Sequence, residues 1–151
     1  MNIEQPNRVL VVDDDSDVRD LLTTMLRQRS LAVDVAADGR QAIDLMREHQ
    51  YMVIILDLLM PVMDGFAVLD AMSGMEGTPP VVLVLTGADR LTIDRLDAQR
   101  IHGIVRKPFD PEELGSLIAA CAEIRGRSPF EAMAMAMIAG GPFLAWLSGK
   151  I

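Results

Sequence analysis

The side chains best suited to chemistry are three carboxylates, one hydroxyl and one ammonium, each close to a short apolar run. They are Asp13, Asp14, Asp57, Thr86 and Lys107. Clustered carboxylates repel one another, and a divalent cation such as Mg²⁺, which prefers oxygen ligands, relieves that repulsion. An ammonium group suits a phosphoryl oxygen, and an aspartate can be the nucleophile that forms an aspartyl phosphate. Together these residues predict phosphoryl transfer to Asp57, with Thr86 as hydroxyl donor and Lys107 as positive charge.

Short apolar runs alternate with segments of helical periodicity along the chain. Strands are predicted at residues 8–12, 31–36, 53–56, 81–85 and 103–106. Helices are predicted to begin at Asp15 or Ser16, at the Asp38-Gly39 turn, after Gly65, at Leu91 (over residues 91–100) and at Pro111. Such alternation implies a parallel sheet with helices on both faces, and sites in these sheets lie beyond the carboxyl ends of the strands. Each of the chemical side chains follows a strand, so we expect them to meet at one edge of the sheet.

Charge and composition narrow the class of protein. The chain has 22 acidic and 14 basic residues, a net charge of -8, and residues 127–151 hold only Arg127, Glu131 and Lys150 as charged side chains. The preceding part is therefore strongly acidic, which excludes unaided binding along a nucleic-acid backbone. A single cysteine excludes an internal disulfide, and the first residues lack the apolar core of a secretory signal. We therefore expect a cytoplasmic protein without a membrane span.

Four segments carry a resemblance to a known family. Residues 9–14 read VLVVDD, residues 57–65 read DLLMPVMDG, residues 85–87 read LTG and residues 107–109 read KPF. In this order they resemble the signature of response-regulator receiver domains, over roughly residues 8–125. The resemblance implies an α/β, doubly wound, flavodoxin-like fold: a five-stranded parallel sheet of order 2-1-3-4-5 flanked by five helices. The composition adds a short apolar C-terminal tail to this fold. The predicted boundaries are residues 1–126 for the receiver domain and residues 127–151 for the extension.

The resemblance also implies roles for the acidic residues. Asp57 is implied to accept a phosphoryl group from a phosphohistidine on a sensor histidine kinase or a histidine phosphotransfer protein. Asp14, Asp57 and the backbone carbonyl of Leu59 are implied to bind Mg²⁺, with Asp13 contributing through a water molecule. The implied function is two-component signal transduction, through phosphorylation-dependent binding of a downstream target protein or through relay of the phosphoryl group.

The remaining part of the signature concerns contacts to the phosphoryl oxygens and the conformational change that follows phosphorylation. Thr86 and Lys107 are implied to contact those oxygens, and Lys107-Pro108 is the position of a cis peptide in the family. Many members have an aromatic residue, whose ring turns inward on phosphorylation, three positions before the lysine. This chain has Ile104 there, after a matching Gly103, so the aromatic part of the switch lacks its side chain.

Two other functions fit less of the sequence. A phosphatase of the haloacid-dehalogenase type also uses an aspartate nucleophile after a strand, but that family has a second aspartate where this chain has Leu59. An adaptor that keeps only the fold would not need the complete set of chemical side chains. The chain is predicted to be no enzyme beyond self-phosphorylation and slow self-dephosphorylation. The resemblance implies that the residues two positions after the acceptor and two after the threonine lie at the rim of the site, where a polar side chain can orient the attacking water; here they are Leu59 and Ala88, which cannot hydrogen-bond a water. His102 is predicted to be an ordinary loop histidine and Cys121 a core residue.

The segment after residue 126 lies outside the resemblance. Residues 132–149 carry no charge, and a Gly-Gly-Pro break at residues 140–142 argues against a membrane span, which needs about 20 apolar residues. Two roles stay open for this segment. It packs back on its own receiver domain, or it docks on a partner or a second copy, in which case the chain forms a homodimer through the last helix and the tail.

Overall fold

Five parallel strands form one sheet in the computed structural model, which describes residues 7–125, 128, 130, 131 and 134. The strands are β1 (Arg8–Val12), β2 (Ala32–Ala36), β3 (Val53–Leu56), β4 (Val81–Thr86) and β5 (Gly103–Arg106), in the order β2-β1-β3-β4-β5. The helices are α1 (Ser16–Gln28), α2 (Gly39–Glu48), α3 (Gly65–Met72), α4 (Arg90–Ile93) and α5 (Pro111–Ala120), and a 3₁₀ turn (Cys121–Ile124) follows α5. The predicted fold class and strand order are confirmed. The predicted boundary between residues 126 and 127 lies outside the described residues.

Each of these five helices begins after an aspartate whose carboxylate accepts a hydrogen bond from a backbone N–H of the first turn. The capping residues are Asp15, Asp38, Asp64, Asp89 and Asp110. A cap of this kind stabilises a helix by about 1 kcal/mol. The sequence left Asp15 and Ser16 open as the cap of α1, and the structure selects Asp15. The cap comes only two residues after Asp13, so the acidic run both ends β1 and starts α1.

The three central strands of the sheet, β1, β3 and β4, are buried on both faces, as their continuous apolar sequences predict. In β1, Val9 and Val11 pack with α1 and α5, whereas Leu10 and Val12 pack with α2 and α3. Cys121 packs in the cluster formed by Val9, Val11, α1 and α5 and is fully buried, which confirms it as a core residue. Burial raises the pKa of its thiol to about 12. The core therefore holds the strands from both sides and fixes where their carboxyl ends lie.

The fourth helix is much shorter than predicted. α4 ends at Ile93, so the prediction of a helix over residues 91–100 is wrong. Leu91, the first residue of the predicted helix, is 80% exposed. Further along, the side chain of Asp97 accepts a hydrogen bond from the backbone N–H two residues later, a local bond that favours a turn over a helix. Among the described residues, no helix is long and apolar enough to cross a membrane.

Val62, in the loop between β3 and α3, has a backbone conformation that β-branched residues disfavour. Its φ is 69° and its side chain is 85% exposed, so little packing offsets the conformational cost. The left-handed region costs a residue with a Cβ roughly 1–2 kcal/mol, whereas glycine loses roughly 0.5–1 kcal/mol of chain entropy on folding. The loop that follows Asp57 therefore contains local backbone strain.

We expect Val62→Gly to raise the free energy of unfolding by roughly 0.5–1 kcal/mol, because relief of the strain exceeds the added entropy cost. Chemical denaturation of the two proteins measures the difference. Val35→Gly is the matched control, because Val35 is also an exposed valine but lies inside β2, where glycine destabilises. An equal loss of stability in both variants would contradict the expectation.

Candidate functional site

Backbone hydrogen bonds carry the strand pairing one residue past the strand ends. The N–H of Asp13 donates to the last carbonyl of β2 (3.1 Å), that of Asp57 to the last carbonyl of β1 (2.9 Å) and that of Lys107 to the last carbonyl of β4 (3.0 Å). Thr86 is itself the last residue of β4, so the predicted end of that strand was one residue short. These bonds place the predicted side chains at the carboxyl edge of the sheet, where the sequence placed them.

Three carboxylates lie together at this edge. Asp13, Asp14 and Asp57 each bring one oxygen to within 4.8 Å of the other two. Asp13 and Asp57 are 2% and 6% exposed, whereas Asp14 is exposed. Burial raises the pKa of Asp13, and the charge of Asp57 adds to the rise, although a hydrogen bond from Lys107 opposes it. Clustered carboxylate oxygens with one open side fit Mg²⁺, which binds a few carboxylates and keeps water or phosphate oxygens.

Lys107 joins two of these carboxylates. Its Nζ lies 2.7 Å from Asp13 Oδ2 and 3.3 Å from Asp57 Oδ2. Burial alone would lower the pKa of Lys107, but the hydrogen bond to Asp13 and the charges of both aspartates outweigh it and raise the pKa. Burial favours the neutral form of Asp13, whereas the two neighbouring carboxylates favour the charged form of Lys107. The 2.7 Å distance between Lys107 Nζ and Asp13 Oδ2 is typical of a charge-assisted hydrogen bond, which supports an ion pair between them. The cis peptide predicted at Lys107-Pro108 is present.

Thr86 is fully buried at the end of β4, the strand next to β3. Its Oγ1 accepts a hydrogen bond from the Ala88 N–H at 3.1 Å, so its hydroxyl hydrogen remains a donor. Of the two predicted rim positions, Leu59 is 57% exposed but Ala88 is only 4% exposed. The Leu59 N–H donates to Asp57 Oδ1 at 3.4 Å. Only Leu59 therefore faces the solvent in which an attacking water would lie.

Arg19, which the sequence did not single out, and Gly65, the last residue of the quoted segment 57–65, also shape the site. Arg19 Nη1 donates to the backbone carbonyl of Asp13 at 2.8 Å, which ties α1 to the end of β1. A Cβ on Gly65 would collide with the carbonyl oxygen of Asp57, so only glycine lets the start of α3 approach the acceptor this closely. No motif marks Arg19. Its position in the first turns of α1 is the only signal in the sequence.

His102 does more than the predicted ordinary loop histidine. Its backbone N–H donates to the Val82 carbonyl at 2.8 Å, and its Nδ1 accepts from the Val82 N–H at 3.1 Å. The ring nitrogen thus takes the place of a carbonyl and extends the pairing of β4 and β5 by one residue. His102 precedes β5, so it lies at the amino edge of the sheet, opposite the carboxylates.

Comparisons with known proteins agree with this architecture. Residues 9–119 match the response regulator receiver domain family. The chain is 33% identical over 132 residues to the probable transcriptional regulator ycf27 of Guillardia theta, covering 86% of this chain and 51% of the relative. It is 33% identical over 108 residues to the transcriptional regulatory protein SrrA of Staphylococcus aureus, covering 72% of this chain and 44% of the relative. The chain thus spans about half the length of the curated relatives it matches.

Solved structures resemble the chain over most of its length. The response regulator protein TrrA of Thermotoga maritima, in complex with Mg²⁺ and BeF, has a TM-score of 0.67 at 26% identity and covers 76% of this chain and 98% of its own. The chemotaxis protein CheY4 of Vibrio cholerae has a TM-score of 0.64 at 28% identity and covers 76% and 97%. The five-stranded parallel sheet and the three carboxylates at its carboxyl edge define a receiver-type signalling domain. The chain belongs to the response regulator receiver family, as its four sequence segments predicted.

Proposed function

We propose that Asp57 is the residue of this receiver domain that accepts the phosphoryl group. The observation that carries the proposal is the setting of its carboxylate at the end of the central strand β3. One oxygen accepts from the Leu59 N–H and the other from Lys107 Nζ, so the side chain is held with its charge compensated. A positioned carboxylate of this kind suits nucleophilic catalysis of phosphoryl transfer.

In the proposed step an oxygen of Asp57 attacks the phosphorus of a phosphohistidine. The O–P bond forms as the P–N bond breaks, and the bonding electron pair leaves with the imidazole nitrogen. Lys107 Nζ moves its hydrogen bond from Asp57 to a phosphoryl oxygen, to which it lies close enough because it already contacts that carboxylate. The hydroxyl hydrogen of Thr86 donates to a second phosphoryl oxygen. Both residues stabilise charge that develops on the transferred group.

Mg²⁺ fits the three carboxylates and would neutralise charge on the phosphoryl oxygens when bound. Asp14, Asp57 and the backbone carbonyl of Leu59 are the proposed direct ligands. Asp13 would contribute through water, as the resemblance to receiver domains implies, while its Oδ2 contacts Lys107 and its Oδ1 accepts from the Asp15 N–H at 3.0 Å. The exposed Asp14 leaves the open side through which a phosphodonor approaches.

The whole chain is proposed to act in the cytoplasm as a response regulator. Receiver domains interact with sensor histidine kinases and downstream effectors, and we propose a histidine kinase or histidine phosphotransfer protein as the donor. The output is phosphorylation-dependent binding of a target protein or onward relay of the phosphoryl group. The proposed receiver domain covers residues 1–126, which is supported by the family match over residues 9–119. A haloacid-dehalogenase-type phosphatase is disfavoured because Leu59 replaces the second aspartate.

The test is phosphorylation of the full chain by acetyl phosphate, followed by intact mass spectrometry. We expect one phosphoryl group per chain with Mg²⁺ and almost none with EDTA, because the carboxylate cluster needs the cation to admit an anion. Borohydride reduction converts an aspartyl phosphate to homoserine and so locates the modified residue in a peptide map. Modification of another residue, or incorporation that does not depend on Mg²⁺, would contradict the proposal.

A further inference from the structure

A large groove lies at the amino edge of the sheet, opposite the carboxylates. Its volume is about 570 Å³, within the range of roughly 300–1,000 Å³ that is usual for binding pockets. It is lined by the ends of α2 and α3 and by the segments that precede β3, β4 and β5. Its apolar side chains include Met46, Tyr51, Ile54, Leu69, Met72 and Met75. We call this cavity the α3 groove.

The chain returns to the α3 groove after α5. Ser128 and Glu131 both line the groove, although the 3₁₀ turn that ends at Ile124 packs on the other face of the sheet. Ser128 Oγ accepts from the Glu131 N–H at 3.2 Å, and the Glu131 carboxylate accepts from the Ser128 N–H at 2.7 Å. This reciprocal pair is a capping box, which starts a helix, and Phe130, Glu131 and Ala134 are helical. A helix therefore begins at the rim of the groove.

The sequence that follows is suited to the apolar part of the groove, whose lining also includes the charged residues Glu76 and Arg100. Residues 132–149 carry no charge, and their large side chains include Met133, Met135, Met137, Phe143 and Trp146. The groove also contains a polar atom that needs a donor. Gln50 Oε1 is buried and has no hydrogen-bond partner among the described residues, and Gln50 lines the groove. The described residues therefore provide no donor that would remove the cost of leaving this oxygen unpaired.

We propose that residues 132–149 dock in the α3 groove of their own chain. The stretch starts directly after Glu131, which already lines the groove, so almost no linker separates the two. Short tethers give effective concentrations in the millimolar range, so an intrinsic Kd of about 1 mM is enough to fill about half of the grooves. A second copy at micromolar concentration would have to bind about a thousandfold more tightly to compete. The tether therefore favours the chain's own tail over a homodimer formed through the tail.

The docked tail lies at the opposite edge of the sheet from Asp57. It therefore leaves the acceptor open to a phosphodonor, and the proposal stands independently of the proposed function. The α3 groove and the carboxylate site can be tested separately on the same protein.

The test uses the fluorescence of Trp146, the only tryptophan in the chain. We expect the full chain to show blue-shifted emission and weak quenching by acrylamide, unchanged over about a hundredfold dilution, because a tethered contact does not depend on concentration. Met75→Glu places a charge in the α3 groove and Phe143→Glu places one in the tail. Each is expected to shift the emission to the red and to raise quenching several-fold. The matched controls are Leu91→Glu, at an exposed leucine of α4, and Lys150→Glu, beyond the uncharged stretch.

Each other result would overturn the proposal. Red-shifted emission in the unsubstituted chain means that the tail is not docked, and a red shift on dilution means that it docks on a second copy. A red shift with Phe143→Glu but not with Met75→Glu places the tail on another surface. Circular dichroism shows whether Met75→Glu keeps the fold. If it does not, Thr78→Arg, at an exposed residue that lines the groove, takes its place with the same expected red shift.

Discussion

Asp57→Asn is expected to reduce phosphoryl incorporation from acetyl phosphate to the background level. Asparagine has the size of aspartate, and its single oxygen can accept either from the Leu59 N–H or from Lys107, so the variant keeps the shape of the side chain and loses one of the two hydrogen bonds. Its amide lacks the anionic oxygen that attacks phosphorus, and removal of a nucleophile that acts with other groups costs many orders of magnitude in rate. Intact mass spectrometry after a fixed incubation with Mg²⁺ measures the loss.

Two further variants separate the role of Asp57 from general acidity. Asp89→Asn is the matched control, because Asp89 is an exposed aspartate that caps α4 and asparagine caps a helix equally well. It should incorporate phosphoryl groups as the unsubstituted chain does. Asp14→Asn should need a higher Mg²⁺ concentration, because it removes a proposed ligand and keeps the nucleophile. Full incorporation by Asp57→Asn would move the acceptor to another residue.

The phosphorylated chain is expected to persist for minutes to hours after the donor is removed, by an order-of-magnitude argument from barrier height. Hydrolysis needs a water held in line with the phosphorus, and the exposed side chain of Leu59 cannot hydrogen-bond one. Leu59→Asn supplies a polar group at this position. We expect it to speed the decay about tenfold, which corresponds to about 1.4 kcal/mol of barrier. Mass spectrometry at intervals after donor removal gives the two rates.

Ala88 is the weaker of the two predicted rim positions. The structure buries it, so Ala88→Glu is informative only in combination with Leu59→Asn, where we expect a total acceleration of up to about a hundredfold. Leu91→Asn makes the same chemical change at an exposed leucine outside the site and should leave the decay unchanged. Decay of the unsubstituted chain within seconds, or equal rates in Leu59→Asn and Leu91→Asn, would show that other groups set the lifetime.

Much of the site could be predicted from the sequence because parallel strands bring their carboxyl ends to one edge. Asp13, Asp57 and Lys107 are far apart along the chain, yet strand counting places them together, and the structure has Lys107 in contact with both carboxylates. The same rule placed Thr86. It could not show that the Thr86 hydroxyl already accepts from the Ala88 N–H, because that bond depends on how the loop after β4 turns.

The failures have local causes. The helix predicted over residues 91–100 rested on three apolar side chains, Leu91, Ile93 and Leu96. They are too few to outweigh the turn in which Asp97 bonds to the backbone. The burial of Ala88 was missed because a small residue in a loop gives no periodic signal. The capping box of Ser128 and Glu131 was readable from the sequence as S-x-x-E, but only the structure places it beside the α3 groove.

β5 is an edge strand of four residues that is anchored at both ends. His102 pairs twice with Val82 before the strand, and the Lys107 N–H bonds to β4 after it. Successive side chains of a strand point to opposite faces, so a slip of one residue would turn Lys107 away from the carboxylates. His102 therefore helps to fix the register of β5 against β4, and this register positions Lys107 at the opposite edge of the sheet. A chain without this imidazole would keep every acidic residue of the site and lose one of the hydrogen bonds that align the lysine with them.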